Sequence, residues 1–171
     1  MLYIKIHLNL RAARSYFYAF VYSSVTYCIS TWGGALLCIQ SSNKLLKTYD
    51  RAVRVLFEQF FPTEENIYKS LGILKLEDLY KLSISTYMYK IVQCGEVECI
   101  GNSLQLTLPS HSYSTRNRNL YNVPFPRINA IRRNFHYQFI NAWNDVPMEI
   151  KSARTVKSFR KQLTKYYLDM Y

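Results

Sequence analysis

A chain of 171 residues has room for one domain or two small ones, and not for a multidomain enzyme that carries its own regulatory parts. With 49% hydrophobic residues, 19% charged residues, five Gly and five Pro, the composition excludes a disordered or collagenous chain. Twenty-two basic side chains against 11 acidic ones give a formal charge of +11, the footprint of a polyanionic partner such as nucleic acid or anionic lipid.

The excess is uneven. Residues 1–110 hold 11 basic and 8 acidic side chains, a balance of +3, whereas residues 111–171 hold 11 and 3, a balance of +8. Sixteen Tyr and nine Phe against two Trp supply rings that can pack in a core, stack on bases or rest at a membrane interface. Cys28, Cys38, Cys94 and Cys99 read as reduced, because the chain is long for a disulfide scaffold. His111 has no partner at ligand spacing and Cys94 stands apart from Cys99, so no metal site is expected.

The start, Met1-Leu-Tyr-Ile-Lys-Ile-His7, lacks the long apolar run and small-residue cleavage site of a signal peptide, which favours an intracellular protein, nuclear or cytoplasmic, over a secreted one. Residues 15–43 carry no charge and are long enough to span a bilayer. Ser23, Ser24, Thr26, Ser30, Thr31, Gln40 and Gly33-Gly34 make that stretch too polar and interrupted for strong insertion, so a buried helix with an attached loop is the favoured reading.

The first helix is expected from Ala13 to about Trp32, with Phe17, Phe20, Val21, Ser24, Val25 and Cys28 at helical spacing, buried on most sides and ended by Gly33-Gly34. A second follows caps at Ser41-Ser42-Asn43. Its inward stripe is Leu45, Leu46, Tyr49, Val53, Leu56, Phe57 and Phe60, with Lys44, Lys47, Arg51 and Arg54 outside, and Pro62 ends it. Thr63-Glu64-Glu65 opens a short helix to Leu71 that Gly72 stops. Leu76-Glu-Asp-Leu-Tyr80 opens a fourth that runs to Cys94-Gly95. Residues 95–130, with Pro109, Pro124 and Pro126, read as a long loop with an extended piece around Leu120–Ile128. A fifth helix is expected from Ala130 to Asn144, stopped by Pro147. The last begins near Ser152 or Thr155, with Val156, Phe159, Leu163, Tyr166, Tyr167 and Met170 inward and Lys157, Arg160, Lys161 and Lys165 outward.

Catalytic patterns are missing. The adjacent acidic pairs Glu64-Glu65 and Glu77-Asp78 sit at helix starts, where they complement the dipole rather than hold two metals. No phosphate-cradling loop or dinucleotide fingerprint is present, and His111, Ser112 and Ser114 read as solvated loop polarity, so no cofactor and no small-molecule substrate are expected. Arginines are the stronger signal. Arg116 and Arg118 stand beside Tyr113 and Tyr121, Arg127 follows Pro126, and Arg132-Arg133 opens the fifth helix; guanidinium forks near rings suit phosphate contact and base stacking.

The segments Tyr22-Ser-Ser-Val-Thr-Tyr-Cys-Ile-Ser-Thr-Trp-Gly33, Tyr49-Asp-Arg-Ala-Val-Arg-Val-Leu56, Leu71-Gly-Ile-Leu-Lys-Leu-Glu-Asp-Leu-Tyr80 and Tyr87-Met-Tyr-Lys90 occur in that order. They are followed by His111-Ser-Tyr-Ser-Thr-Arg116, Trp143-Asn-Asp-Val-Pro147 with Ile150-Lys151, and Ser158-Phe-Arg-Lys-Gln-Leu163. This series resembles the region downstream of the polymerase core in jockey-like non-LTR retrotransposon proteins, whose HSYxTR, WNxLP and FKKxLK stretches the later pieces are similar to. The resemblance runs from about residue 13 to the end, and Arg54, Arg116 and Trp143 match recurring positions. It implies a parent with an N-terminal endonuclease and a reverse transcriptase bearing Tyr-x-Asp-Asp. No Asp-Asp occurs in this chain, so no catalytic residue carries over, and the Cys/His knuckle that the family's tail can hold is missing too.

Together these readings give a mainly α, irregular helical bundle with a long loop around residues 95–130. Residues 1–94 form a thumb-like helical segment, 95–130 a basic loop or linker and 131–171 a basic C-terminal segment. The expected function is non-enzymatic binding of RNA or an RNA/DNA primer-template duplex through Arg54, Arg116, Arg118, Arg127, Arg132, Arg133, Lys157, Arg160 and Lys161. The alternatives are a membrane-associated helical protein inserted through residues 15–43 and a decayed element fragment without activity.

Overall fold

The computed structural model describes residues 9–34, 42–61, 67–95, 120–123 and 135–171. In chain order these form α1 (Leu10–Tyr16), a π-helical run (Phe17–Tyr22), α2 (Ser23–Thr26), α3 (Ile29–Trp32), α4 (Ser42–Phe57), a 3-10 turn (Glu58–Phe60), α5 (Ile67–Leu71), α6 (Leu76–Cys94), α7 (Phe135–Asp145), α8 (Met148–Lys151) and α9 (Val156–Asp169). The fold is mainly helical, with no strand among the described residues. Of the expected loop, Gly95 and residues 120–123 are non-helical, and the rest lies outside the described residues. The chain divides into two compact units, Met1–Tyr80 with Tyr166–Tyr171, and Lys81–Lys165.

In the first unit, Asn9 caps α1 by accepting from the Ala12 N–H at 2.8 Å. The single helix expected over residues 13–32 is broken into pieces. A π-helical run follows α1, and the chain turns at Tyr27–Cys28, where Cys28 takes a left-handed φ of 50° and the Trp32 indole N–H donates to the Tyr27 carbonyl at 2.7 Å. Burial on most sides is not found either. Ala13, Phe17 and Ile29 are buried, whereas Phe20 is 61% and Tyr27 76% exposed. The wider π turns carry the side chains off the 3.6-residue stripe on which Phe20 was placed inward. The Ser24 and Thr26 hydroxyls donate to the Phe20 and Tyr22 carbonyls one turn back, at 2.6 and 2.8 Å.

Phe17 packs edge-on against Tyr49 and Phe57 of α4, with ring centroids 6.0 and 5.7 Å away. Tyr49, Val53, Leu56 and Phe57 are buried as the spacing predicts, while Leu45 is 38% exposed and Leu46 and Phe60 are half-buried. The Tyr49 hydroxyl donates to the Leu74 carbonyl at 3.0 Å. α5 ends as the sequence predicts. Gly72 adopts φ 65°, its N–H bonds the Lys69 carbonyl and the Ile73 N–H bonds the Tyr68 carbonyl, the two bonds of a Schellman cap. Gly33, read as a helix stop, has another reason to be glycine: a Cβ there would collide with the Tyr80 ring. Tyr171 accepts from the Lys75 N–H at 2.9 Å and donates to the Asp78 carboxylate at 2.6 Å.

The second unit is built on the rest of α6, whose limits match the sequence reading at both ends. Met88, Tyr89, Phe139, Ile140, Trp143, Val146, Phe159 and Leu163 are buried there. Tyr89 stacks on Phe159 at 4.5 Å, and Trp143 lies 6.0 Å from the same ring. The Tyr89 hydroxyl donates to the Ala153 carbonyl. Pro147 ends α7 as expected but also opens α8, a turn that the periodicity did not reveal; its fixed φ of −58° suits the residue just ahead of a helix. Met170, expected inward, is 62% exposed because it stands past the last turn of α9.

Candidate nucleic-acid interface

Arg116, Arg118, Arg127, Arg132 and Arg133 lie outside the described residues. The other four candidates are all exposed. Lys157, Arg160 and Lys161 share the outer side of α9, opposite buried Phe159 and Leu163. Arg154 just before the helix and Lys165 one turn beyond Lys161 are exposed too and extend the row. The spacing already set Lys165 outward, and its i, i+4 relation to Lys161 was the signal for including it.

The electrostatics of this row are unfavourable to the free chain. The Thr155 hydroxyl caps α9 by accepting from the Ser158 N–H at 3.1 Å, but the first turn holds no acidic side chain and the last turn no basic one. Lys157, in the first turn, therefore stands at the positive end of the helix dipole and is repelled by Arg160 at i, i+3 and by Lys161 at i, i+4, while Asp169 closes the negative end. The placement of Lys157 costs roughly 0.3–1 kcal/mol.

Arg54 is differently situated. It stands in the last turn of α4, where the dipole favours a cation, and close enough to the Tyr68 phenol to favour that group's ionised form. Burial nevertheless pushes Tyr68 well above the ordinary phenol range, with the Asp50 carboxylate, which accepts the Tyr68 hydroxyl proton, adding to the shift. Arg54 is thus favoured by the dipole of its own helix. Arg14 has a structural contact, since its guanidinium donates to the Leu71 carbonyl at 3.2 Å.

Trp143-Asn144 also proves to be a packing device. Trp143 is buried, and the Asn144 side chain pairs with both backbone groups of Tyr121, accepting from its N–H at 3.0 Å and donating to its carbonyl at 2.9 Å. Lys151, one of the 11 basic residues of the tail, is buried; its ammonium donates to the Asn144 carbonyl at 3.3 Å and lies 5.4 Å from the centre of the Trp143 ring. Desolvation lowers its pKa below the usual lysine value, against the pull of Asp145. Among the described residues no three His, Cys, Asp or Glu side chains gather to hold a metal ion, and no helix is long and apolar enough to cross a membrane. No known protein family, curated protein or solved structure matches the chain.

Proposed function

We propose that the chain is a non-catalytic C-terminal piece of a retrotransposon RNA-directed DNA polymerase that binds RNA or primer-template duplex through phosphate contacts. The origin rests on the ordered motif series from Tyr22 to Leu163, and the binding rests on one observation. On α9, Lys157 is set against the helix dipole, and it, Arg160 and Lys161 are exposed, mutually repelling, and backed by Arg154 and Lys165. A phosphate backbone laid along this row removes the like-charge repulsion and satisfies the dipole at once. The +8 balance of residues 111–171 supplies the wider field that draws a polyanion to it.

Salt titration of RNA binding tests the reading, because affinity falls on a log–log line whose slope counts the ions released. Removing Lys157, Arg160 or Lys161 by Ala substitution should each reduce that slope by roughly one and weaken unrelated sequences about equally. An unchanged affinity and slope in the triple variant would leave the row as solvated surface and defeat the proposal.

A further inference from the structure

Beside the core of the first unit, Val21 and Val25 face Leu45, Ala52 and Val55 of α4 across an open groove of about 450 Å³. Among the described residues, Arg51 is its one charged lining residue and no acidic side chain lines it. Lys44 is exposed and shares the helix stripe by which Thr48, Arg51 and Val55 reach the groove, at spacings of four, three and four. The Asp50 carboxylate is not among the lining residues and accepts the Tyr68 hydroxyl. From Leu45 to Val55 the trough runs about 15 Å along α4, or three helical turns.

These features select one occupant. We infer that the groove receives an amphipathic helix of a partner protein, with apolar side chains between the two helices and acidic side chains on the Arg51–Lys44 border. A trough between two helices with an apolar floor fits the stripe of a third helix. Phosphates would be desolvated against Val21, Val25 and Ala52, which argues against nucleic acid here. A symmetric second copy would set the cationic α4 borders of two chains with formal charge +11 against each other.

Fluorescence anisotropy of the full chain with two labelled 14-residue helical peptides tests this inference. Both carry the same leucine stripe at i, i+3 and i+7, one flanked by Glu and the other by Lys. The Glu peptide should bind at least tenfold more tightly than the Lys peptide. Ala52→Asp should weaken it at least tenfold, and Arg51→Glu, at an exposed position, should reverse the preference even if Ala52→Asp perturbs the fold. The inference is overturned if neither peptide binds, if both bind equally, or if Arg51→Glu leaves the preference unchanged. It is equally overturned if sedimentation reveals a dimer that Ala52→Asp dissolves, or if only phosphatidylserine vesicles are bound in an Ala52-dependent way.

Discussion

α4 and α9 look alike as sequence, each with four basic side chains outward and an aromatic stripe inward, yet they build different surfaces. α4 carries Arg54 in its last turn, where the dipole welcomes it, buries phenols such as Tyr49, and leaves part of its apolar side open as a groove. α9 sets Lys157 at the wrong end of its dipole, has no cation in its last turn, and closes its apolar side with Phe159 and Leu163. Charge composition therefore does not distinguish a cation that stabilises its helix from one that destabilises it; position along the helix does.

The largest effect separating the two should come from packing. Phe159→Ala removes a ring enclosed by Tyr89 and Trp143 and should cost about 3–5 kcal/mol in urea unfolding, against less than about 0.5 kcal/mol for Leu45→Ala at the open groove. Equal losses would show the groove to be covered in solution.

Alkali should separate the units next. In the first unit, burial raises the pKa values of Tyr49, Tyr68 and Tyr171 well above the phenol range, with Asp78 adding at Tyr171, and pushes Tyr80 up to about 12. The unfolded chain ionises these groups from about pH 10, so the stability that they contribute is present below that and is lost as pH rises toward the folded values. In the second unit burial raises Tyr121, but Lys151 is lowered, and its contribution grows as pH rises toward the unfolded lysine value. Trp32 reports on the first unit and Trp143 on the second. Between pH 10 and 12, fluorescence of the Trp143→Phe variant should therefore change before that of Trp32→Phe, and the reverse order would refute the assignment.

Tyr49→Phe comes third. It leaves the Leu74 carbonyl without its buried donor and should cost about 1–2 kcal/mol in the same unfolding assay.

The smallest predicted effect is the sharpest. Lys157→Glu should stabilise the free chain by about 0.3–1 kcal/mol and weaken RNA binding, whereas Arg54→Glu should destabilise it by a similar amount. Thermal unfolding with and without RNA reads both signs, and a destabilising Lys157→Glu would remove the electrostatic basis of the proposed interface.

Much of this architecture was legible where local chemistry marks an element's ends. α6 was readable at both limits because Glu77-Asp78 and Gly95 bracket a continuous apolar period, and the end of α5 because Gly72 supplies the left-handed residue that its cap requires, whereas its expected opening at Thr63-Glu64-Glu65 lies outside the described residues. The first helical run was misread because a 3.6-residue template cannot register six residues of π-helix or a left-handed Cys28. Gly33 gave its position but not its reason, since the Tyr80 ring that needs the space is 47 residues away in sequence. For the candidate interface, outward Lys157, Arg160 and Lys161 followed from the period alone. Trp143-Asn144 could not be resolved into packing and backbone pairing, because Tyr121 and Phe159 reach them only through the tertiary fold.

Because Asn144 meets both backbone groups of Tyr121, its side chain does for that residue what a neighbouring strand would do, without a sheet. The match needs one acceptor and one donor on the same planar group, which an amide carries and a carboxylate does not. Asn144→Asp would keep the acceptor for the Tyr121 N–H and lose the donor for its carbonyl, so the position demands an amide and not merely polarity.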